Sequence, residues 1–342
     1  MNARRAVVLA LAALVVAGSA VWVQMRNAAQ TAAPPAALVL AGLADSLDTV
    51  SEVRLARGDG IATTMQRQAG SGAGWMVTQR GYAVDEVKLR KLLLDLSTLR
   101  AIEEKTSDPA RYAVLDVQDA TGADSHAVRI DVVAGSRTWT LLVGKAAQPS
   151  GTYVRVPPAP AAWLVQPPIG ADPEPARWIE TALVDVQASR VQQVSVRPAE
   201  GPAYTLSREH PETADFKLKP VPPGRKPAGS AVLNAAASNL AQLHADDVQA
   251  PPATLPPHAS HASVRTFDGL VLDLDGHRDG TRAWVRVHAG GTDAAAAAAI
   301  NARLDGRDFE LAAYKFDAIF RPLDALLELR SKSSSGTGRP KK

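Results

Sequence analysis

The sequence predicts an α+β protein: an N-terminal single transmembrane helix followed by two tandem duplicated β-rich units, antiparallel sheets each with a packing helix. Three observations predict it. One uncharged apolar run stands near the N-terminus, and short stretches of alternating hydrophobicity fill most of the chain after it. Leucine- or alanine-rich segments at helical spacing interrupt that alternation. The 342 residues suffice for two domains. Hydrophobic residues at 46% and charged residues at 21% exclude wholesale disorder. Aromatics at 5% leave a core of aliphatic side chains and alanine. The absence of cysteine rules out disulfide staples, thiolate metal sites, iron–sulfur clusters and a cysteine nucleophile.

Residues 1–5 read as a cytoplasmic stub and 6–25 as the anchor. Ala6 to Val23 carries no charge, and its 18 residues span about 27 Å as a helix, enough for a bilayer core. Arg4 and Arg5 precede the run and hold the N-terminus inside, so the bulk of the chain crosses to the periplasm. A cleaved signal peptide is the competing reading, because Gly18-Ser19-Ala20 offers small residues for a signal peptidase. The apolar run continues through Val21-Trp22-Val23, which favours a retained inner-membrane span in contact with the lipid bilayer. Residues 26–44, with Pro34-Pro35, read as a tether, and 331–342 as a disordered basic tail. The net charge of +3 comes from the ends. Arg4, Arg5, Arg26 and five basic residues in 330–342 stand in segments without an acid, so the remainder is net negative. Nucleic acid is therefore not an expected partner.

Between the ends the chain repeats itself. Ser51 to Thr78 lies on Gln192 to Lys219 without a gap, pairing Val53 with Val194, Leu55 with Val196, Gly60 with Gly201 and Trp75 with Phe216. A small insertion brings Leu89 onto Leu233, Leu96 onto Leu240, and Leu99 onto Leu243. Val128-Arg129 then meets Val264-Arg265, and Tyr153-Val154-Arg155-Val156 meets Trp284-Val285-Arg286-Val287. The expected units are 45–170 and 191–330, joined by a connector at 171–190. In each, Gly60 or Gly201 turns a strand pair, a third strand follows at Trp75 or Phe216, and a helix comes next. The first helix starts at Asp85 and buries Leu89, Leu92, Leu93, Leu96 and Leu99. The second, Ser230 to Ala245, has alanine in place of Leu92 and Leu93, so it packs closer or buries less. Strands are expected at Ala127–Val133, Thr138–Val143 and Tyr153–Val156. Asp279-Gly280 turns a hairpin between Leu270–Leu274 and Ala283–Val287. An alanine-rich helix capped by Asp293, a strand at Phe309–Leu311 and a helix around Pro322–Leu329 complete the chain.

Motifs that carry chemistry are scarce, and no catalytic, cofactor-binding or metal-binding residue is assigned. Gly144-Lys145 lacks the upstream glycine and the Ser/Thr of a phosphate-binding loop. The run Gly70-Ser71-Gly72-Ala73-Gly74 precedes a strand, so no helix dipole backs it and it reads as a hairpin loop. His258 and His261 have the spacing of two metal ligands on a helix, and a metal-dependent hydrolase is the enzyme reading they allow. Pro256-Pro257 argue for an extended loop instead. Asp273 to Gly280 resembles the start of a calcium loop, yet the frame from Asp275 places His277 third and Arg286 twelfth, so a strand end and turn is the simpler reading. Glu103-Glu104 and Asp246-Asp247 read as solvated charges at helix–strand junctions. Trp75, Trp139, Phe216 and Trp284 read as core.

Two blocks of residues carry a resemblance. The first is Trp75 with Tyr82-Ala83-Val84-Asp85, the leucine-rich helix ending at Leu99-Arg100-Ala101, and Ser107-Asp108-Pro109 with Tyr112. The second is Leu142-Val143-Gly144-Lys145 with Tyr153-Val154-Arg155. The chain resembles the bacterial family called domain of unknown function 4340, best over Trp75 to Leu206. It departs from the pattern at Ala83, where the family often has proline. The resemblance implies a membrane-anchored protein associated with gliding-motility-type ABC transporters, with no assigned catalytic residue and no cofactor. The expectation is a non-enzymatic, single-pass inner-membrane protein serving as accessory or scaffold subunit of an ABC-type transport or surface-assembly complex, with transporter subunits as partners. The alternative is a periplasmic ligand-binding module that holds a glycan, lipid or peptide between the two repeat units.

Overall fold

The structure is a computed structural model that describes residues 37–70 and 74–328. The expected anchor at 6–25, most of the tether, Ser71 to Ala73 of the glycine-rich loop and the basic tail lie outside the described residues. No helix among the described residues is long and apolar enough to cross a membrane.

Along the chain run β1 (Val50–Arg57), β2 (Ala62–Arg67), β3 (Trp75–Val77), β4 (Tyr82–Ala83), a helix at Glu86–Ser97, β5 (Arg100–Thr106), β6 (Val128–Ala134), β7 (Arg137–Ala146), β8 (Thr152–Arg155) and β9 (Ala162–Gln166). Then come β10 (Ala182–Val184), β11 (Val191–Arg197), β12 (Tyr204–Ser207), β13 (Lys217–Lys219), a helix at Ser230–Ser238, β14 (Leu243–His244) and β15 (Asp247–Gln249). The last elements are β16 (Ser260–Thr266), β17 (Leu270–Asp279), β18 (Arg282–Gly291), a helix at Ala294–Leu304, β19 (Asp308–Leu311) and a helix at Ala313–Ile319. The protein is β-rich α+β with antiparallel sheets.

The chain forms two compact units. The first holds residues up to Ala62 together with Val87–Pro173, and the second holds Thr63–Glu86 together with Glu174 onward. In the first unit the strands are ordered β1-β6-β7-β8-β9-β5. Val53 faces Val132 and Leu55 faces Ile130 across β1 and β6, and all four are buried. Period-two alternation puts these side chains on one face, and the polar residues between them face away. The helix Glu86–Ser97 buries Leu89, Leu92, Leu93 and Leu96. Each leucine so buried is worth about 1.5–3 kcal/mol. The end of the expected tether is a strand-like segment: the Val39 amide donates to the Leu99 carbonyl at 2.9 Å and the Ala101 amide to the Ala37 carbonyl at 3.1 Å.

In the second unit the main sheet is ordered β13-β12-β11-β16-β17-β18-β19-β15, with β10-β14 as a small separate pair. Here Val194 faces Val264 and Val196 faces Ala262. Segment 63–86 packs in this unit because its backbone is bound there: the Asp85 amide donates to the Trp178 carbonyl at 2.8 Å, and the Tyr82 ring meets Phe309 edge-on at 5.4 Å. The helix expected over Ser230 to Ala245 ends at Ser238, and Gln242 turns the chain with φ of 50°. The expected connector contains a strand, β10. Asp293 caps its helix as expected, accepting from the Ala296 amide at 3.2 Å. The chain beyond Pro322 forms only a short 3-10 turn, Leu323–Leu326, while a helix not expected from sequence occupies Ala313–Ile319. Trp139, Phe216 and Trp284 are buried, and Trp75 is half-buried.

Candidate functional site

Two hollows lie in the second unit. The first grows from β15. Asp247 opens that strand opposite Glu310, and Glu310 lies opposite Trp284 of β18. Asp247 is 6% exposed, so it is not the solvated charge expected from sequence. It is buried because arginines enclose it. Arg80 approaches as a fork, with Nε and Nη2 at 2.6 and 3.0 Å from the two carboxylate oxygens. Arg282 donates to Asp247 at 2.9 Å and to Glu310 at 2.6 Å, and its guanidinium lies 4.5 Å over the Trp284 ring. The Glu310 carboxylate, seconded by Asp247, holds the Arg282 proton more tightly than usual, against the opposing effect of burial. Arg307 donates to the carbonyl oxygens of Gly81 at 2.5 Å and Arg80 at 3.4 Å. The hollow among these groups has a volume of about 290 Å³. Every guanidinium in it has a protein partner, so its chemistry is that of a clamp holding 79–81 against β15. Sequence spacing gives no sign of it, since the three arginines come from distant segments.

The second hollow lies on the polar face of the sheet. Register builds two rows there. In one, Lys219 stands opposite Thr205, Thr205 opposite Ser195, Ser195 opposite Ser263, and Ser263 opposite Asp273. In the next, Arg197 stands opposite His261 and His261 opposite Asp275. Lys219, Thr205, Ser195, Ser263, Arg197 and His261 line a cavity of about 380 Å³. His261 Nδ1 is 2.8 Å from Asp275 and its Nε2 is 4.0 Å from Asp273. The Ser195 and Thr205 hydroxyls lie 3.2 Å apart. Neither Arg197 nor Lys219 forms an ion pair with a carboxylate among the described residues.

The other residues singled out from sequence are dispersed. His258 sits in a turn, and His261 is on β16 with its ring held by Asp275, so the helical spacing that would join the two imidazoles is missing. Among the described residues no group of three or more His, Asp or Glu side chains is placed to hold a metal ion. Asp273, Asp275 and His277 lie along β17, which runs on to Asp279 before Gly280 turns with φ of 58°. Glu103 and Glu104 are on β5 rather than at a junction, and Glu103 pairs with Lys105 at 2.5 Å. Gly144 lies where β7 passes the chain turn after Tyr112: a Cβ there would stand 2.1 Å from the Leu115 carbonyl oxygen. Close packing therefore accounts for that glycine. The Gln68 amide donates to the Gly74 carbonyl at 2.8 Å, closing the base of the glycine-rich loop.

A model of one protein family, described as a domain of unknown function (DUF4340), matches residues 75–261. No curated protein and no solved structure matches the chain.

Proposed function

The chain belongs to the DUF4340 family, whose match covers more than half of it, and from that membership we propose that it is a non-enzymatic, membrane-anchored accessory subunit of an ABC-type transport or surface-assembly complex. Residues 6–25 hold it in the inner membrane, 1–5 stay cytoplasmic, and the remainder is periplasmic. The reading also takes the two halves as copies of one ancestral unit. Support comes from the shared strand order, β1-β6-β7-β8-β9-β5 against β11-β16-β17-β18-β19-β15. The ladders support it too: Val53 with Val132 has its counterpart in Val194 with Val264. They move one part of the sequence match by four residues, because Val264 takes the place of Val132 rather than Val128.

The observation that carries the functional reading is the outer face of the helix Glu86–Ser97. Val87 and Leu94, one heptad apart on the stripe opposite the buried leucines, are 77% and 49% exposed. In the second copy the spacing that sets Leu89 on Leu233 puts Ala231 and Ser238 at these places. The fold itself therefore has no need of large apolar groups there. A pair of apolar residues in water beside Arg90, with Lys91 already paired to Asp95 at 2.5 Å, suits a partner with an apolar strip. Purification of the tagged full-length chain from gently solubilised membranes tests the reading. Wild type is expected to bring down transporter subunits, and the Val87→Asp/Leu94→Asp variant to lose them while staying folded. Recovery of no transporter subunit with wild type overturns it.

A further inference from the structure

We infer that the second hollow binds a phosphoryl group, with Arg197 and Lys219 as its cations and the hydroxyls of Ser195, Thr205 and Ser263 as its neutral donors. Charge is the first reason. On β13 the neighbouring Lys217 is taken up by Glu209 at 3.1 Å, while Lys219 forms no ion pair and only adds a minor pull on that same carboxylate. Arg197 ends β11 equally unpaired. The two stand two strand spacings apart, roughly 10 Å across the sheet, so their long side chains reach the same space from opposite sides. Thr205 lies on the strand between them, Ser195 is two residues from Arg197 on β11, and Ser263 stands opposite Ser195 on the next strand, β16. His261 forms the far wall. Asp275 and Asp273 flank that ring on β17, the side away from Lys219.

This arrangement matches an oxyanion with three free oxygens better than a carboxylate with two. A guanidinium presents several donors in a plane, an ammonium adds a mobile point charge, and the hydroxyls rotate to donate to what remains. Charge-assisted hydrogen bonds to phosphate are about twice as strong as neutral ones.

The first unit serves as an internal control. The ladders that equate Val53 with Val194 and Val132 with Val264 place Arg54 at Ser195, Ala56 at Arg197, Arg129 at His261 and Asp131 at Ser263. There Asp131 pairs with Arg129, while Arg54, opposite Asp131 in register, forms no ion pair among the described residues. Arg129 Nε lies 2.8 and 3.0 Å from the Asp131 oxygens, and Thr140 donates to Asp131 at 2.6 Å. The same framework thus places an Arg–Asp ion pair in one unit where the other has His261 and Ser263.

Calorimetric titration of the full-length chain in detergent micelles, at fixed ionic strength, tests the inference. Inorganic phosphate is expected to bind. The Arg197→Ala/Lys219→Ala variant is expected to bind at least tenfold more weakly, with an unchanged thermal melt. Arg265→Ala removes a cation of β16 that does not line the hollow and is expected to change binding less than twofold. Glucose 6-phosphate and dihexanoyl phosphatidic acid, both soluble, distinguish the sources: tighter binding of the first points to a phosphorylated glycan, of the second to a lipid headgroup, and equal binding to free phosphate. The inference is overturned if acetate binds as tightly as phosphate, if wild type shows no binding, or if the double variant binds like wild type.

Discussion

Tyr204 is on the inward side of β12, 3% exposed, with its hydroxyl donating to the Arg321 carbonyl at 2.8 Å. Its neighbour Thr205 lines the second hollow. Burial pushes the Tyr204 phenol well above the ordinary tyrosine value, with a smaller opposing pull from Arg321. In the unfolded chain the phenol loses its proton near pH 10, while the folded protein retains it to higher pH. The folded state then binds more protons than the unfolded one, so the contribution is full below about pH 10 and is lost as pH rises toward the folded value. Tyr204→Phe is expected to cost about 1 kcal/mol at neutral pH through the lost hydrogen bond. Urea unfolding between pH 7 and 11 should show wild type losing stability above pH 10 more steeply than the variant. Equal slopes would mean that the phenol titrates normally in the folded protein. Asp247 shows what the residue scale hides from sequence. Its partners Arg80 and Arg282 are 167 and 35 positions away, so adjacency to Asp246 suggested a solvated pair.

Helices and strands were legible where one period ran long enough. The first helix is foreseen from five leucines at helical spacing, four of which lie in it while Leu99, also buried, follows its end at Ser97, and β3 is found at Trp75–Val77 as expected. The helix Ala313–Ile319 escaped because its inward face holds only Phe316, Ala318 and Ile319 over two turns, too short for periodicity to register. The strand β5 escaped because its pattern is almost wholly exposed, so alternation had nothing to mark. In the second helix Ala236 and Ala237, aligned with Leu92 and Leu93 in the sequence match, are 4% and 1% exposed, so the shorter side chains are fully covered. Overpacking should then be costly. Ala237→Leu is expected to lose about 1–3 kcal/mol, as inserted methylenes force neighbours off their rotamers. The reciprocal Leu93→Ala leaves a cavity and is expected to lose about 2–5 kcal/mol. Chemical denaturation measures both, and a neutral Ala237→Leu would show that the second helix has slack against its sheet.

At the scale of the whole molecule, charge and hydropathy divide the chain into parts with different tasks. The apolar run Ala6–Val23 has the length that a bilayer-crossing helix needs, and the two arginines before it set the direction of the proposed anchor. The β-rich units beyond the tether carry the negative balance of charge and both hollows. The last basic residues follow the final described turn. On the proposed reading the anchor confines the folded units to a membrane surface. On that reading, confinement would raise the effective concentration against a partner in the same membrane, so that a small apolar stripe such as Val87 and Leu94 could suffice for capture. Alkaline carbonate extraction of membranes is the measurement that checks it. The chain is expected to stay in the pellet, with peptides from 1–26 present in the mature protein, and replacement of Leu11 and Leu14 by arginine should move it to the supernatant. A mature chain that starts at Val21 and washes off the membrane would remove the anchor, and the apolar stripe would then have to bind its partner at bulk concentration.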